Sequence, residues 1–350
     1  MKTKLVYVLT CAPEATYIEQ ALISAFSARY HNPDAHIVLL VDDKTNQLLV
    51  GKRAELLEYI TECKIIQTPA EYNLMQTSRW LKTSVRNLID GDFLFIDCDT
   101  IITGTLDEVD MFTCEIGAVV DSHRPVRELF PQEQQDIYLF ANKCGWDFTD
   151  LEYYHNSGVF YVKDTPETRE FYKLWHQNYL HSAQCGVNID QISLEKTAQE
   201  MPIIQQIEDV WNTIMFVRPN FIERAKIIHF TALSNNSFLF SKRVLIYIRY
   251  NTLSPYLKYH ILHPMASYVP YMKKYYTGLA IWSTICNVAV GVKQYAKYID
   301  SNLTDLTIPL RIEKVVKKLF LVQLYYIGTI LWMFWIHFRG KYNPLEWYYN

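Results

Sequence analysis

Two hydrophobic patterns alternate along the first hundred residues: short apolar runs, and longer stretches with apolar residues at helical spacing. The apolar runs predict four strands, at residues 4–9, 36–43, 63–67 and 92–97. The stretches with helical spacing predict three helices between them, at residues 13–29, 45–60 and 73–89. Continuous apolar strands that alternate with helices indicate a parallel sheet covered on both faces. We therefore predict an α/β fold with a mainly parallel sheet.

The fourth predicted strand ends in two aspartates, Asp97 and Asp99, within "FLFIDCDTII" (93–102). In extended backbone, residues i and i+2 point to the same side, so the two carboxylates converge while Cys98 turns into the core. Such close carboxylates repel unless a positive charge lies between them. A divalent Mg²⁺ or Mn²⁺ ion is the natural occupant; the alternative is a turn with two solvated acids. Ligands of parallel α/β sheets bind at this end of the strands.

Two enzyme classes place D-x-D after an apolar strand. In the haloacid-dehalogenase-like phosphatases Asp97 would be a nucleophile, but that motif opens the domain on its first strand and continues with Gly-Thr. Here three strand–helix units precede the motif, and Thr100-Ile101 stands where Gly-Thr is expected. Nucleotide-sugar glycosyltransferases with a single Rossmann-like domain carry D-x-D after several such units. The position of the motif therefore favours a glycosyltransferase and leaves the phosphatase as the alternative.

Five segments, taken together, resemble one known family in that family's order. They are "SRWLKTSVRNLIDGDFLFIDCDTIITGTLDEV" (78–109), "YHNSGVFYVK" (154–163), "NIDQISLE" (188–195), "VWNTI" (210–214) and "KIIHFT" (226–231). Over roughly residues 3–235 the chain resembles glycosyltransferase family 8, the retaining galactosyl- and glucosyltransferases that include bacterial lipopolysaccharide enzymes. The resemblance implies a GT-A catalytic domain at 1–235. A basic, aromatic and mostly helical region would follow it at 236–350.

The same resemblance implies a metal centre. His229, at the end of an apolar strand, would be the third protein ligand beside Asp97 and Asp99. Imidazole next to two carboxylates favours Mn²⁺ as the cofactor and leaves Mg²⁺ as the alternative, because Mg²⁺ prefers oxygen ligands.

Further site residues follow from the resemblance. Asp190 and Gln191 would be catalytic: Asp190 would hold hydroxyls of the transferred hexose, and Gln191 would face the anomeric carbon opposite the leaving diphosphate. Asp121 would lie near the acceptor. The donor-binding residues would be Thr10, Arg79, Asp97, Cys98, Asp99, Asn156, Ser157 and Asp190.

The reaction implied by the resemblance is transfer of galactose or glucose from a UDP-sugar to a glycan or lipid-linked glycan, with retention by front-face return. UDP is implied by the family alone, because "TCAPEATY" (10–17) departs from the family's base-binding pattern. The lysine that family members often carry after the strand histidine is also absent from "HFTALSNNSFLFSKR" (229–243). Lys242 or Arg243 would replace it only if the loop folds back. A catalytically silent glycan- or lipid-binding relative is thus a third hypothesis.

Charge divides the chain into an acidic part and a basic part. Residues 1–223 carry 18 Lys and Arg against 33 Asp and Glu, whereas residues 224–350 carry 16 against 4, together with 15 of the 26 tyrosines. A basic, aromatic tail predicts an anionic partner. Without a nucleic-acid motif, an anionic membrane surface fits better than nucleic acid. The apolar segment 319–338 is long enough to span a bilayer or to lie on its surface.

The seven cysteines are scattered without C-x-x-C or metal spacing, which is typical of reduced thiols in the cytosol. The apolar run near the N-terminus is short and lacks a small-residue cleavage site, so it predicts a first strand and not a signal peptide. We therefore expect a cytoplasmic protein at the inner face of the membrane.

Overall fold

Ten strands lie in two sheets of the computed structural model, which describes residues 1–129, 131–214, 224–231 and 239–264. The strands are β1 (Lys4–Leu9), β2 (Ile37–Asp42), β3 (Glu62–Ile66), β4 (Phe93–Ile96), β5 (Thr100–Ile102), β6 (Ile116–Val120), β7 (His155–Val162), β8 (Ile204–Gln206), β9 (Thr213–Ile214) and β10 (Ile227–His229).

The larger sheet has seven strands in the order β3-β2-β1-β4-β7-β6-β8. All neighbouring pairs are parallel except those of β7, which runs antiparallel to both β4 and β6. The chain passes from β1 outward to β2 and β3, then returns to place β4 on the other side of β1. This reversal of strand order is the position where α/β sheets bind ligands, beyond the carboxyl ends of the strands.

A small second sheet has the order β5-β10-β9. Its central strand β10 is antiparallel to β5 and parallel to β9, and His229 is opposite Thr100 in this register. Since β5 begins directly after the D-x-D motif, the pairing carries His229 from far along the chain to the aspartates.

Eight α-helices accompany the strands in the described ranges. They are α1 (Tyr17–His31), α2 (Asp43–Asn46), α3 (Leu74–Leu88), α4 (Pro131–Lys143), α5 (Pro166–Gln184), α6 (Asp190–Glu200), α7 (Lys242–Tyr250) and α8 (Pro255–Leu262).

The core on one face of the large sheet is aromatic. Phe95 of β4 stacks on Phe160 of β7, and Trp175 of α5 meets Phe160 edge to face. Leu81 and Val85 of α3 are buried in the same cluster. Alternate residues of each strand point to this face and the others to the opposite face, so strands covered on both sides are apolar throughout. The α/β fold and the mainly parallel sheet predicted from the sequence are confirmed.

The predicted helix at 45–60 is wrong in its type and length. The chain forms the single turn α2 and then a 3₁₀ helix over Gly51–Tyr59. Gly51, the first residue of the 3₁₀ helix, has a backbone φ of +58°, in the left-handed region. A residue in that conformation interrupts a right-handed helix, and glycine adopts it without steric cost.

Helix α7 packs on α1 through a buried carboxylate. Glu19 of α1 contacts Arg249 of α7 at 3.1 Å and Arg53 at 2.7 Å. The predicted boundary at residue 235 stays a prediction. The segment 319–338 lies outside the described residues, and within those residues no helix combines the length and apolar character needed to cross a membrane.

Candidate active site

The two aspartates and the histidine predicted as metal ligands lie together. Asp97 and Asp99 follow β4, and the Asp97 N–H donates to the Gly158 carbonyl at 2.7 Å, which fixes the motif against β7. His229 Nε2 lies 3.3 Å from Asp99 Oδ1. One ligand atom from each of the three side chains lies within 4.8 Å of the others. This spacing allows a single ion to contact all three.

A hydrogen-bond chain orients the imidazole of His229. Its Nδ1 lies 3.0 Å from Asn212 Oδ1, and the amide of Asn212 donates to Asn156 Oδ1 at 2.8 Å. Because the Asn212 oxygen can only accept, Nδ1 carries the proton and Nε2 is the nitrogen available to an ion. Burial would lower the pKa of His229, but the Asp99 carboxylate beside it outweighs burial and raises that pKa.

Because Gly158 has no side chain, it leaves room for the side chains of His229 and Asp97. A Cβ added there would lie 2.2 Å from His229 Cε1 and 2.9 Å from Asp97 Oδ2. No side chain fits at those distances, so the backbone of β7 forms the floor of the cluster. Two carboxylates and an oriented imidazole in such a cradle fit a divalent cation, with Asp97, Asp99 and His229 as the residues that would hold it.

Asp190, the first residue of α6, is surrounded by polar partners. It is 3% exposed, and its carboxylate contacts Arg79 Nε at 2.9 Å and Lys82 Nζ at 3.0 Å. Ser157 Oγ donates to it at 2.7 Å. Burial alone would raise the pKa of Asp190, but the charges of Arg79 and Lys82 outweigh burial and hold that pKa well below its usual range. Asp190 is therefore ionised at neutral pH.

A second polar cluster surrounds Asp121, at the end of β6. Asn156 donates to Asp121 Oδ1 at 3.1 Å, and Gln191 donates to Asp121 Oδ2 at 3.1 Å. Gln191 also donates to the His155 carbonyl at 3.0 Å. Both N–H groups of the Gln191 amide are engaged, so its oxygen is the atom available to a ligand.

Sequence reasoning missed Lys82, Asn212 and the pair of His155 and Glu195 at this site. Lys82 joins Asp97 to Asp190, and His155 pairs with the buried Glu195 through Nδ1 at 3.0 Å. The signal for Lys82 was a lysine among the apolar positions of α3, one turn from Arg79 and hence on the same helix face. The signal for His155 was a histidine that opens an apolar strand, which has no specific meaning by itself.

Thr10 and Cys98 make their hydrogen bonds elsewhere. Thr10 Oγ1 donates to the Leu74 carbonyl at 3.3 Å, and Cys98 Sγ lies 3.5 Å from the Val8 carbonyl. The half-buried Cys98 side chain thus turns toward β1, although Cys98 and Asp99 form a turn beyond the end of β4 and not the extended strand that the sequence predicts. The structure brings together Arg79, Asp97, Asp99, Asn156, Ser157, Asp190 and His229, with Asp121 and Gln191 next to Asn156. The functional roles of all these residues stay predictions.

The strand order and the D-x-D motif at the reversal point define the fold as the GT-A fold of glycosyltransferases. No protein-family model matches the sequence, and no curated protein matches it. Solved glycosyltransferase structures do match. The apo structure of the bifunctional glycosyltransferase WbbM has a TM-score of 0.51 at 14% identity, covering 75% of this chain and 51% of that one. This chain therefore spans about half the length of WbbM.

Two other glycosyltransferases match at lower TM-scores. The galactosyltransferase LgtC, solved with donor and acceptor sugar analogues, has a TM-score of 0.47 at 16% identity, over 72% of this chain and 98% of that one. Mouse xyloside xylosyltransferase 1 has a TM-score of 0.44 at 14% identity, and the match covers 67% of this chain and 99% of that one. At such identities, the likeness to WbbM shows a shared fold and nothing further.

Proposed function

We propose that the chain is a metal-dependent retaining glycosyltransferase that moves a hexose, galactose or glucose, from a UDP-sugar to a glycan or lipid-linked glycan. The observation that carries the proposal is the meeting of Asp97, Asp99 and His229 in one cluster beside the buried, ionised Asp190. The GT-A fold supports it, because nucleotide-sugars bind at the carboxyl end of such sheets. Mn²⁺ is the proposed ion, with Mg²⁺ as the alternative.

The separation of charge during the reaction suggests a role for each side chain of the site. Breaking the anomeric bond of a nucleotide-sugar leaves negative charge on the diphosphate and positive charge on the sugar ring. A divalent ion held by Asp97, Asp99 and His229 would supply Lewis-acid stabilisation of the departing diphosphate. The ionised Asp190 accepts hydrogen bonds from sugar hydroxyls and attracts the positive ring. Arg79, paired with Asp190 at 2.9 Å, places a cation beside the same site.

The side chains near Asp121 fit the acceptor end of the site. The free oxygen of the Gln191 amide can face the anomeric carbon, while Asp121 offers a carboxylate to an acceptor hydroxyl. An amide oxygen is a weak nucleophile, which favours front-face return over a covalent intermediate. Retention then follows because the acceptor hydroxyl attacks on the face that the diphosphate leaves and gives its proton to the departing phosphate oxygen.

The cellular setting is also a proposal. The basic, aromatic region 236–350 would contact the anionic inner face of the membrane, and a lipid-linked acceptor would be presented there. Vesicle co-sedimentation of the full chain on anionic and neutral lipids tests this part. Binding to anionic vesicles that disappears at high salt is expected, and equal binding to both lipids contradicts the electrostatic account.

The proposed activity is tested with Asp99→Asn. The variant keeps the shape of the side chain but removes a charged ligand, so Mn²⁺-dependent turnover of the donor should fall at least roughly a hundredfold. Asp150→Asn, at an exposed turn, is the matched control and should keep full turnover. A thermal-shift screen of nucleotide-sugars with and without Mn²⁺ identifies the donor, because a bound ligand stabilises the folded state. Full turnover in the folded Asp99 variant would refute the proposal.

A further inference from the structure

Lys82 is a buried cation in contact with both Asp97, a candidate metal ligand, and Asp190, the candidate sugar-binding carboxylate. Its side chain, on α3, is 2% exposed. The ammonium lies 3.0 Å from Asp190 Oδ2, 3.2 Å from Ser157 Oγ and 3.3 Å from both carboxylate oxygens of Asp97. The ring of Phe95 lies below it, with its centroid 5.0 Å away. Every polar neighbour of Lys82 thus belongs to the proposed donor site.

The charges of the site nearly balance before any ligand enters. Asp97, Asp99 and Asp190 contribute three negative charges, and Lys82 and Arg79 contribute two positive ones. When the imidazole is neutral, as it must be to bind an ion, the net charge is one negative charge instead of three. A site of three carboxylates alone would bind a divalent cation strongly, whereas this site is already largely neutralised.

Lys82 shares a ligand with the metal centre. Asp97 is a candidate ligand of the ion, and both of its oxygens already contact the ammonium. An ion at the half-buried Asp97 and the ammonium of the buried Lys82 are like charges close together, so each disfavours the other. An anionic diphosphate removes the conflict, because its oxygens can contact the ion and the ammonium at the same time.

We propose that Lys82 is a resident counter-ion that makes divalent metal binding depend on the nucleotide diphosphate. The proposal rests on the proposed function and deepens it. The site binds Mn²⁺ weakly by itself and tightly together with the diphosphate. By thermodynamic linkage, Mn²⁺ tightens diphosphate binding by the same factor. The site therefore fills only when its donor is present.

The experiment measures Mn²⁺ affinity of the full chain by electron paramagnetic resonance, with and without UDP, for the wild type and two variants. Lys82→Met removes the charge at similar length, and Lys82→Arg keeps it. The wild type and Lys82→Arg should bind Mn²⁺ at least tenfold more tightly when UDP is present. Lys82→Met should bind Mn²⁺ alone at least fivefold more tightly than the wild type, and its response to UDP should shrink accordingly.

Lys64→Met is the matched control for the lost charge. Lys64 lies on β3, where its ammonium donates to the Leu88 carbonyl at 3.1 Å, away from the carboxylates of the site. Its variant should keep the wild-type affinities. Circular dichroism melting of each variant establishes that it is folded. If Lys82→Met does not fold, the wild type and Lys82→Arg still test the coupling between Mn²⁺ and UDP.

The outcomes separate this inference from the proposed function. Equal Mn²⁺ affinity of wild type and folded Lys82→Met without UDP, or weaker binding by the variant, overturns the counter-ion role and leaves the glycosyltransferase proposal intact. The counter-ion role is also overturned if the wild type binds Mn²⁺ tightly and with the same affinity whether or not UDP is present. If neither UDP nor any other nucleoside diphosphate binds with Mn²⁺, the proposed function itself fails, and the inference fails with it.

Discussion

Gly158 lies where β7 passes the candidate metal ligands, and Gly158→Ala should disable the metal site. The added Cβ would lie 2.2 Å from His229 Cε1 and 2.9 Å from Asp97 Oδ2. Carbon atoms in favourable contact are about 3.5 Å apart, so the imidazole must retreat by roughly 1.3 Å unless the strand moves instead. Either movement separates His229 from the aspartates.

The expected losses of stability and of Mn²⁺ affinity follow from the cost of overpacking and from the precision of metal–ligand distances. Forcing an extra carbon into a packed core costs about 1–3 kcal/mol of unfolding free energy. For a domain of this size, that cost lowers the melting temperature by about 2–12 °C. Metal–ligand distances tolerate only about 0.2 Å, so a shift of roughly 1.3 Å removes a ligand. We expect Mn²⁺ affinity, measured with UDP present, to fall at least tenfold or so.

The assay combines Mn²⁺ titration by electron paramagnetic resonance with thermal melting. Gly117→Ala, on β6, is the matched control: its Cβ would meet Ile207 Cγ2 at 2.8 Å. The control should melt at a lower temperature than the wild type and keep its Mn²⁺ affinity. A folded Gly158→Ala protein with wild-type Mn²⁺ affinity would refute the reasoning, because it would show that this close approach does not define the metal site.

Three further substitutions test separate interactions. Asn212→Leu leaves the buried Nδ1 of His229 without its acceptor, so Mn²⁺ affinity should fall roughly 10–100-fold in a titration with UDP. His155→Gln should weaken the dependence of the unfolding free energy on pH. Burial would lower the pKa of His155, but the Glu195 carboxylate outweighs burial and raises that pKa. The stabilisation in the wild type is full below about pH 6.5 and is lost as pH rises through the raised pKa. Glu19→Gln leaves two arginines without their buried partner and should cost about 3–5 kcal/mol in urea denaturation.

Each of these expectations has a contradicting result. Unchanged Mn²⁺ affinity in Asn212→Leu would show that the imidazole is oriented by packing alone. Wild-type stability that rises relative to His155→Gln between pH 6 and pH 9 would have the wrong sign. A cost below about 1 kcal/mol for Glu19→Gln would mean that solvent replaces the lost charge.

Local pattern was sufficient for much of the α/β domain. The apolar pattern predicts a fourth strand at 92–97, which is observed at Phe93–Ile96, and a helix at 73–89, which is observed at Leu74–Leu88. That helix begins at a capping box formed by Asn73 and Gln76, a signal contained within four residues. The predicted helix at 45–60 does not form because Gly51 adopts a left-handed backbone conformation, which interrupts a right-handed helix.

The candidate site was predictable only where its geometry is local. The local sequence places Asp97 and Asp99 within two residues of each other at the end of β4, but they lie in a turn and not in the extended strand that the alternation argument assumes. Bringing His229 to them required the pairing of β10 with β5, which joins segments more than a hundred residues apart. His229 was predicted as a metal ligand from the order of several motifs, because its distance along the chain from Asp97 and Asp99 follows no spacing rule.

The amino-acid sequence by itself determined the first four strands, the helices around 13–29 and 73–89, and the paired carboxylates. Those properties depend on neighbours within a few positions. The tertiary structure alone decided that Lys82 contacts Asp97 and Asp190, and that Asn212 orients His229. These contacts depend on how α3 packs on the sheet and how the second sheet assembles, because long side chains meet only after distant backbones have been fixed.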